Sequence, residues 1–313
     1  MDFLDGTISQ YIEELQKNNK YLSLEFDEQE AIEQEFIKGV ESLTGSIEEM
    51  LQKELKGVKL SFTDDLQIGM KASLKIKDGY RGQIQCSRLL LMCEYQMFYQ
   101  MNYENIVIDG KNIDNIRKMQ FHLAFYGMLY HEIAHIYKGH LYLYDKWEVE
   151  QTVEKRFLDI QTLEWDADCY AASQLANVVY RMNNDILKND NSDFALQIMI
   201  GAIHGMMFWQ RQKQDFCDMD SKQHPPIFYR EMAMISSLGE LLGSMDKVKK
   251  YLLGYEIEFI KVFKMDKIDV ERYLNDSVLN KEKLGEIEDN WNIIKVLLEQ
   301  YSLFPLNDAD ELF

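Results

Sequence analysis

Proline occurs at only three places in this chain, positions 225, 226 and 305. Proline removes a backbone donor and stops or kinks a helix, so a chain without it before position 225 can run as long helices joined by short polar turns. Apolar residues recur at helical spacing through Ile32, Phe36, Ile37, Val40, Leu43, Ile47, Met50, Leu51 and Leu55. Asp27 and Glu30 precede that run as a pair resembling a capping box, and Gly57 closes it. The 313 residues, 46% of them hydrophobic, suffice for one large domain or two modest ones around a substantial core.

The character changes between Val58 and Cys86. Val58-Lys59-Leu60-Ser61-Phe62 alternates apolar and polar, parts of Ile68 to Ile76 do the same, and Lys77-Asp78-Gly79-Tyr80 is a hairpin signal. A small antiparallel sheet is expected there, either covering the core or offering an edge to an extended peptide. Asn105 to Ile108 reads as a short extended piece. Helices are expected from Ser87 to about Tyr99, from Ile113 to about Tyr144, from Thr162 to Tyr180, from Phe194 to Trp209 and in the tail from Glu231 onward. Gln210 to Gln223 is polar without apolar periodicity and reads as a loop beside the site. The expected fold class is mainly α with a small antiparallel β-sheet, α+β. It divides into a helical region over 1–56, a core over 57–235 and a second helical region over 236–313.

Within the apolar stretch after Ile113 stands Tyr130-His131-Glu132-Ile133-Ala134-His135. A helix turns about 100° per residue, so His131 and His135 lie on one face, one turn apart, close enough to share a metal ion. Neutral imidazoles are good Zn²⁺ donors. Glu132, on the neighbouring edge of that face, can take a proton from a zinc-activated water without joining the coordination sphere. The alternative is a pair of core histidines hydrogen-bonded to neighbours. Among Ile116, Met119, Phe121, Leu123, Phe125, Met128, Leu129 and Ile133, burying such groups without partners is costly.

A hydrolytic zinc site takes three protein ligands and keeps a fourth position open. Lys138 and Leu141 stand where the metzincin pattern places its glycine and third histidine, which excludes that class. His140 falls about 180° from His131 round an unbroken helix and is expected to point away from the metal, as a surface or supporting histidine. The better third ligand is Glu164, in Leu163-Glu164-Trp165-Asp166-Ala167-Asp168. Asp168 shares its face at i, i+4 spacing and can accept the free ring N–H of a ligand histidine. Ala167 and Ala171 let two helices approach closely, and Asp166, facing elsewhere on the wheel, reads as structural.

His131-Glu132-x-x-His135 followed by Glu164-x-x-Ala167-Asp168 resembles the gluzincin metallopeptidases, in the branch of HtpX and the CAAX prenyl proteases. His224-Pro225, with Arg230 after it, is similar to the His-Pro and downstream Arg of that branch. The resemblance spans about Gln120 to Met234. It implies a zincin-like metallopeptidase core, a catalytic His224 that holds the oxyanion, with Tyr229 as its alternative, and an Arg230 that braces the site through Asp168 or Glu164. Length, the zinc motif and the lack of a convincing span also resemble the Lit type of phage-exclusion peptidase, which implies a latent cytoplasmic enzyme activated in phage defence.

The balance of 53 acidic against 34 basic residues, a formal charge of −19, argues against a nucleic-acid or anionic-membrane surface. Cys86, Cys93, Cys169 and Cys217 form no Cys-x-x-Cys pair, which fits a reducing, cytoplasmic setting. The N-terminal residues Met1 to Gly6 lack a basic region followed by an apolar run, so no secretory signal is expected. Phe194 to Trp209 is shorter than the roughly 20 residues that cross a bilayer and is interrupted by Gln197 and His204; it reads as a core helix, or as one lying in a membrane interface. The expected function is a zinc-dependent metalloendopeptidase acting on a protein or peptide, with Glu132 as general base and an activator or inhibitor protein as a further partner. The alternative is a regulatory or protein-binding module in which zinc is only a staple.

Overall fold

The computed structural model describes residues 26–65, 69–74, 79–106, 112–150, 153–186, 192–208, 230–235, 238, 245–263, 285–304 and 306. Helices dominate these residues, with one three-stranded sheet. In chain order they are α1 (Phe26–Met50), β1 (Val58–Thr63), β2 (Met70–Ser73), β3 (Gly82–Ser87), α2 (Arg88–Gln100), α3 (Ile113–Tyr137), α4 (His140–Glu150), α5 (Val153–Ile186), α6 (Ser192–Phe208) and α7 (Met245–Phe263). A helical segment at 230–235 precedes α7, and α8 covers 285–298.

The sheet is mixed rather than antiparallel. Its order is β1-β3-β2, with β1 parallel and β2 antiparallel to β3. The hairpin signal near Gly79 specifies only the β2–β3 pair, in which Ala72 lies opposite Ile84. Six residues separate β1 from β2, a length sufficient to span the roughly 10 Å between the two outer strands. β3 takes the centre because Gly82, Ile84 and Cys86 are all buried. β2 is left as an edge strand.

Several expected helix ends move for local reasons. α1 stops at Met50, and Gln52 (φ 53°) and Gly57 (φ 88°) turn the chain back so that the Val58 amide donates to Thr44 Oγ1 at 2.9 Å. α5 runs beyond Thr162–Tyr180 at both ends, because its polar flanks contain no helix breaker. The long helix expected through Tyr144 instead breaks after Tyr137. Lys138 caps it, its N–H donating to Ala134 O at 2.8 Å, and Gly139 adopts φ 82°. A Cβ at Gly139 would lie 2.7 Å from Tyr301 Cβ, so both the left-handed backbone and the close approach call for glycine.

The core is built round α3 and α6. Ala195, Leu196, Ile198, Met199, Ile200, Ala202, Ile203, Met206 and Met207 of α6 are all buried, so the apolar helix is covered by protein on every side. Among the described residues no helix is long and apolar enough to cross a membrane. α1 is tied in through Glu48, which accepts from Tyr137 Oη at 2.8 Å and from Arg81 Nη2 at 2.6 Å. A second cluster, with Leu143, Trp147, Leu163, Trp165, Trp291 and Leu298, packs α8 onto α4 and α5. Gly82 of β3 admits Ile136 of α3, whose Cδ1 would meet an added Cβ at 3.0 Å, and this close contact sets α3 against the sheet.

Candidate metal centre

Asn112 caps α3, its side chain accepting from the amides of Asp114 and Asn115 at 2.9 and 3.3 Å. The last two turns of that helix carry His131 and His135 inward. α5 runs antiparallel beside it: Gly127 faces Leu175 at one end, and Lys138 meets Asp166 at the other. Ala167, Ala171 and Ala172 of α5 are completely buried, and these small side chains allow the closeness.

Between the two helices three donor groups converge. His131 Nε2 and His135 Nε2 are 3.0 Å apart, and they lie 3.3 Å from Glu164 Oε2 and 3.4 Å from Glu164 Oε1 respectively. Atoms bonded at about 2.1 Å to one tetrahedral Zn²⁺ lie about 3.4 Å from one another, so the trio has the size of one face of that tetrahedron. His131, His135 and Glu164 are all buried, and they are the group that can hold a metal ion among the described residues. Two imidazole nitrogens and one carboxylate suit zinc and also admit other divalent transition metals.

Each of the three donors is held from behind. Asp168 Oδ1 accepts from His131 Nδ1 at 2.9 Å, which leaves Nε2 for the centre. Arg230 grips Asp168 through both Nε (2.7 Å) and Nη2 (2.9 Å), with Nη2 also 3.5 Å from Glu164 Oε2. Tyr144 Oη donates to Glu164 Oε1 at 2.9 Å. Behind His135, its Nδ1 lies 3.0 Å from Nδ1 of His140, whose Nε2 is 3.0 Å from Asp166 Oδ2.

These contacts set the protonation of the site. Burial lowers the His131 pKa, but the Asp168 carboxylate outweighs it and lifts the group to about 10. Burial, reinforced by the neighbouring His131 and His140, holds His135 far below the ordinary histidine value despite Glu164. Without a metal this favours a charged His131, whose Nε2 faces both His135 Nε2 and Glu164 Oε2. Burial also lowers His140, and Lys138 adds to this against the pull of Asp166. Burial opposes ionisation of Asp168 and Asp166, yet Arg230 and His131 keep the first, and Lys138 and His140 the second, below the ordinary aspartate range.

Glu132 stands apart from the trio and is partly buried. Burial and then Glu164 raise its pKa, partly offset by His131, by a hydrogen bond from the Ala72 amide and by Arg230. Since Ala72 belongs to β2, the carboxylate lies against the edge strand. This places a base of raised pKa beside both the trio and the edge strand β2.

His131, His135, Glu164, Asp168, Arg230 and Glu132 are brought together. His224, Tyr229 and the segment Gln210 to Gln223 lie outside the described residues. His140 does not point away: the break at Gly139 turns it back against His135, and it is fully buried rather than at the surface. Asp166 is also buried, held by Lys138 and His140. The supporting roles of Tyr144 and Lys138 are not expected from their own positions, yet Lys138-Gly139 is a recognisable helix-stop signal that predicts a change of direction before both His140 and Tyr144. Comparisons with protein-family models, with characterised proteins and with solved structures find no match to this chain.

Proposed function

We propose that the protein is a zinc metalloendopeptidase with a zincin-like core. One juxtaposition carries this reading: His131, His135 and Glu164 offer three donors with the spacing of a tetrahedral face, and Glu132 stands beside them without being one of them. A purely structural zinc site fills its fourth position with protein and has no use for an extra carboxylate at its rim. Bound zinc supplies a Lewis acid that polarises a carbonyl and acidifies water.

The chain's own residues supply the rest. Glu132, its pKa raised by burial, is suited to take a proton from the attacking water and to pass it to the leaving amine. The edge of β2 beside Glu132 offers backbone groups to an extended peptide, which favours a polypeptide over a small ester or amide. Asp168 and Arg230 keep the His131 ring in place through the cycle. An internal peptide bond is preferred because, among the described residues, no charged group dedicated to a peptide terminus stands out beside the site.

Glu132→Gln tests the reading. Zinc content stays at the wild-type level, while cleavage of a denatured protein substrate falls by about 10²- to 10⁴-fold. Unchanged cleavage would overturn the assignment, and zinc binding without cleavage by the wild type would support a zinc-stapled binding module.

A further inference from the structure

His140 is completely buried and lies on the far side of His135 from the other two donors. Its Nε2 is 3.0 Å from Asp166 Oδ2, and Lys138 Nζ grips the same carboxylate at 2.7 and 2.8 Å. A carboxylate only accepts, so His140 Nε2 carries the hydrogen. His140 is completely buried and Lys138 already matches the Asp166 charge, so the ring carries this one hydrogen and keeps a lone pair at Nδ1. Its contact with His135 Nδ1, at 3.0 Å, is a hydrogen bond only when His135 donates from Nδ1. Each proton position thus follows from the one before it, and the chain ends with a lone pair on His135 Nε2, the atom that faces His131 and Glu164. The opposite tautomer would set two lone pairs against each other and put a hydrogen where a metal binds.

We propose that His140, held by Asp166 and Lys138, is a positioning residue that locks His135 in its metal-binding tautomer. The inference rests on the reading of the trio as a zinc site. It gives the two ligand histidines unlike supports. Asp168 backs His131 directly, whereas Asp166 backs His135 through a neutral ring and has its charge matched by Lys138. A second carboxylate directly behind the site would add negative charge to a buried cluster that already holds Glu164 and Asp168. The interposed histidine transmits the orientation and leaves that charge further out. Gly139 makes the arrangement possible, since only the break in the helix returns His140 to His135.

Nitrogen NMR of the metal-free full chain, labelled with ¹⁵N-histidine, reads the tautomers directly. The expected result is a protonated Nδ1 and an unprotonated Nε2 on His135, with the reverse on His140; an Nε2-protonated His135 overturns the proposal. Zinc titration of folded variants gives a second reading. His140→Leu weakens Zn²⁺ binding by about 10- to 100-fold. His140→Gln, whose amide can accept from His135 and donate to Asp166, restores most of that loss. Equal zinc affinity in the wild type and His140→Leu also overturns the proposal. Should His140→Leu fail to fold, the NMR result on the wild type decides. A wild type that binds no zinc defeats the zinc reading, whereas the tautomers judge the relay separately.

Discussion

His131 Nε2 and His135 Nε2 face each other across 3.0 Å, a separation that two bare lone pairs do not hold without a cation or proton between them. In the metal-free protein that proton belongs to His131, whose pKa is lifted to about 10 by Asp168 against the effect of burial. A metal must therefore displace it.

Calorimetric titration with Zn²⁺ near pH 7.5, repeated in buffers of different ionisation enthalpy, is expected to report about one proton released per ion. Apparent affinity should rise about tenfold per pH unit and level off near pH 10, where His131 loses its proton unaided. Folding responds with the opposite sign. A raised histidine pKa stabilises the metal-free fold fully below the unfolded value near 6.5, and that contribution is lost as pH rises through about 10. Zinc binding with no proton release would contradict this charge assignment.

Tyr144→Phe removes the hydroxyl that donates to Glu164 Oε1 at 2.9 Å. The ring remains, close to His135, so the fold is expected to persist. Zinc dissociation should become about tenfold more favourable, as observed when a group that supports a metal ligand is lost. Competition with a chromophoric chelator measures it.

Arg230 and Asp168 form a buried pair with two hydrogen bonds. Removing one partner leaves the other charged and desolvated, so Arg230→Met should cost about 3–5 kcal/mol in urea unfolding. Asp168 and Asp166, both held below the ordinary aspartate range, contribute stability above that range and lose it as pH falls through their lowered values. An acid-unfolding transition that begins at lower pH in Asp168→Asn than in the wild type would contradict this sign.

Gly139→Ala forces a side chain into a left-handed backbone and against Tyr301. A loss of about 1–2 kcal/mol is expected from the backbone alone, with more from the contact. Because α4 carries both His140 and Tyr144, the same change should weaken zinc binding; unaltered affinity would show that the break does not position the site. Thermal unfolding and zinc titration together measure both effects.

The convergence of His131, His135 and Glu164 was legible in the sequence because its information is local. Two histidines at i, i+4 share a helix face whatever surrounds them, and Glu164 with Asp168 repeats that logic on a second helix. What could not be read depended on events between elements. A continuous helix turns His140 away from the metal, whereas the stop at Gly139 brings it behind His135, so that of its two expected roles the supporting one fits and the surface one does not. The antiparallel pairing of β2 with β3 was visible in a turn, whereas the parallel pairing of β1 with β3 has no local signature. Tyr144 reads as one aromatic among many until the break at Gly139 places it i, i+4 from His140 on the face turned towards the trio.

The most direct measurement is the zinc content of the purified chain by elemental analysis after equilibration with Zn²⁺ and removal of the free ion. One ion per chain is expected in the wild type and in Glu132→Gln, and almost none in His131→Ala, His135→Ala or Glu164→Ala. A folded wild-type chain without zinc, or a His131→Ala chain that keeps it, would contradict the claim that these three side chains hold the metal.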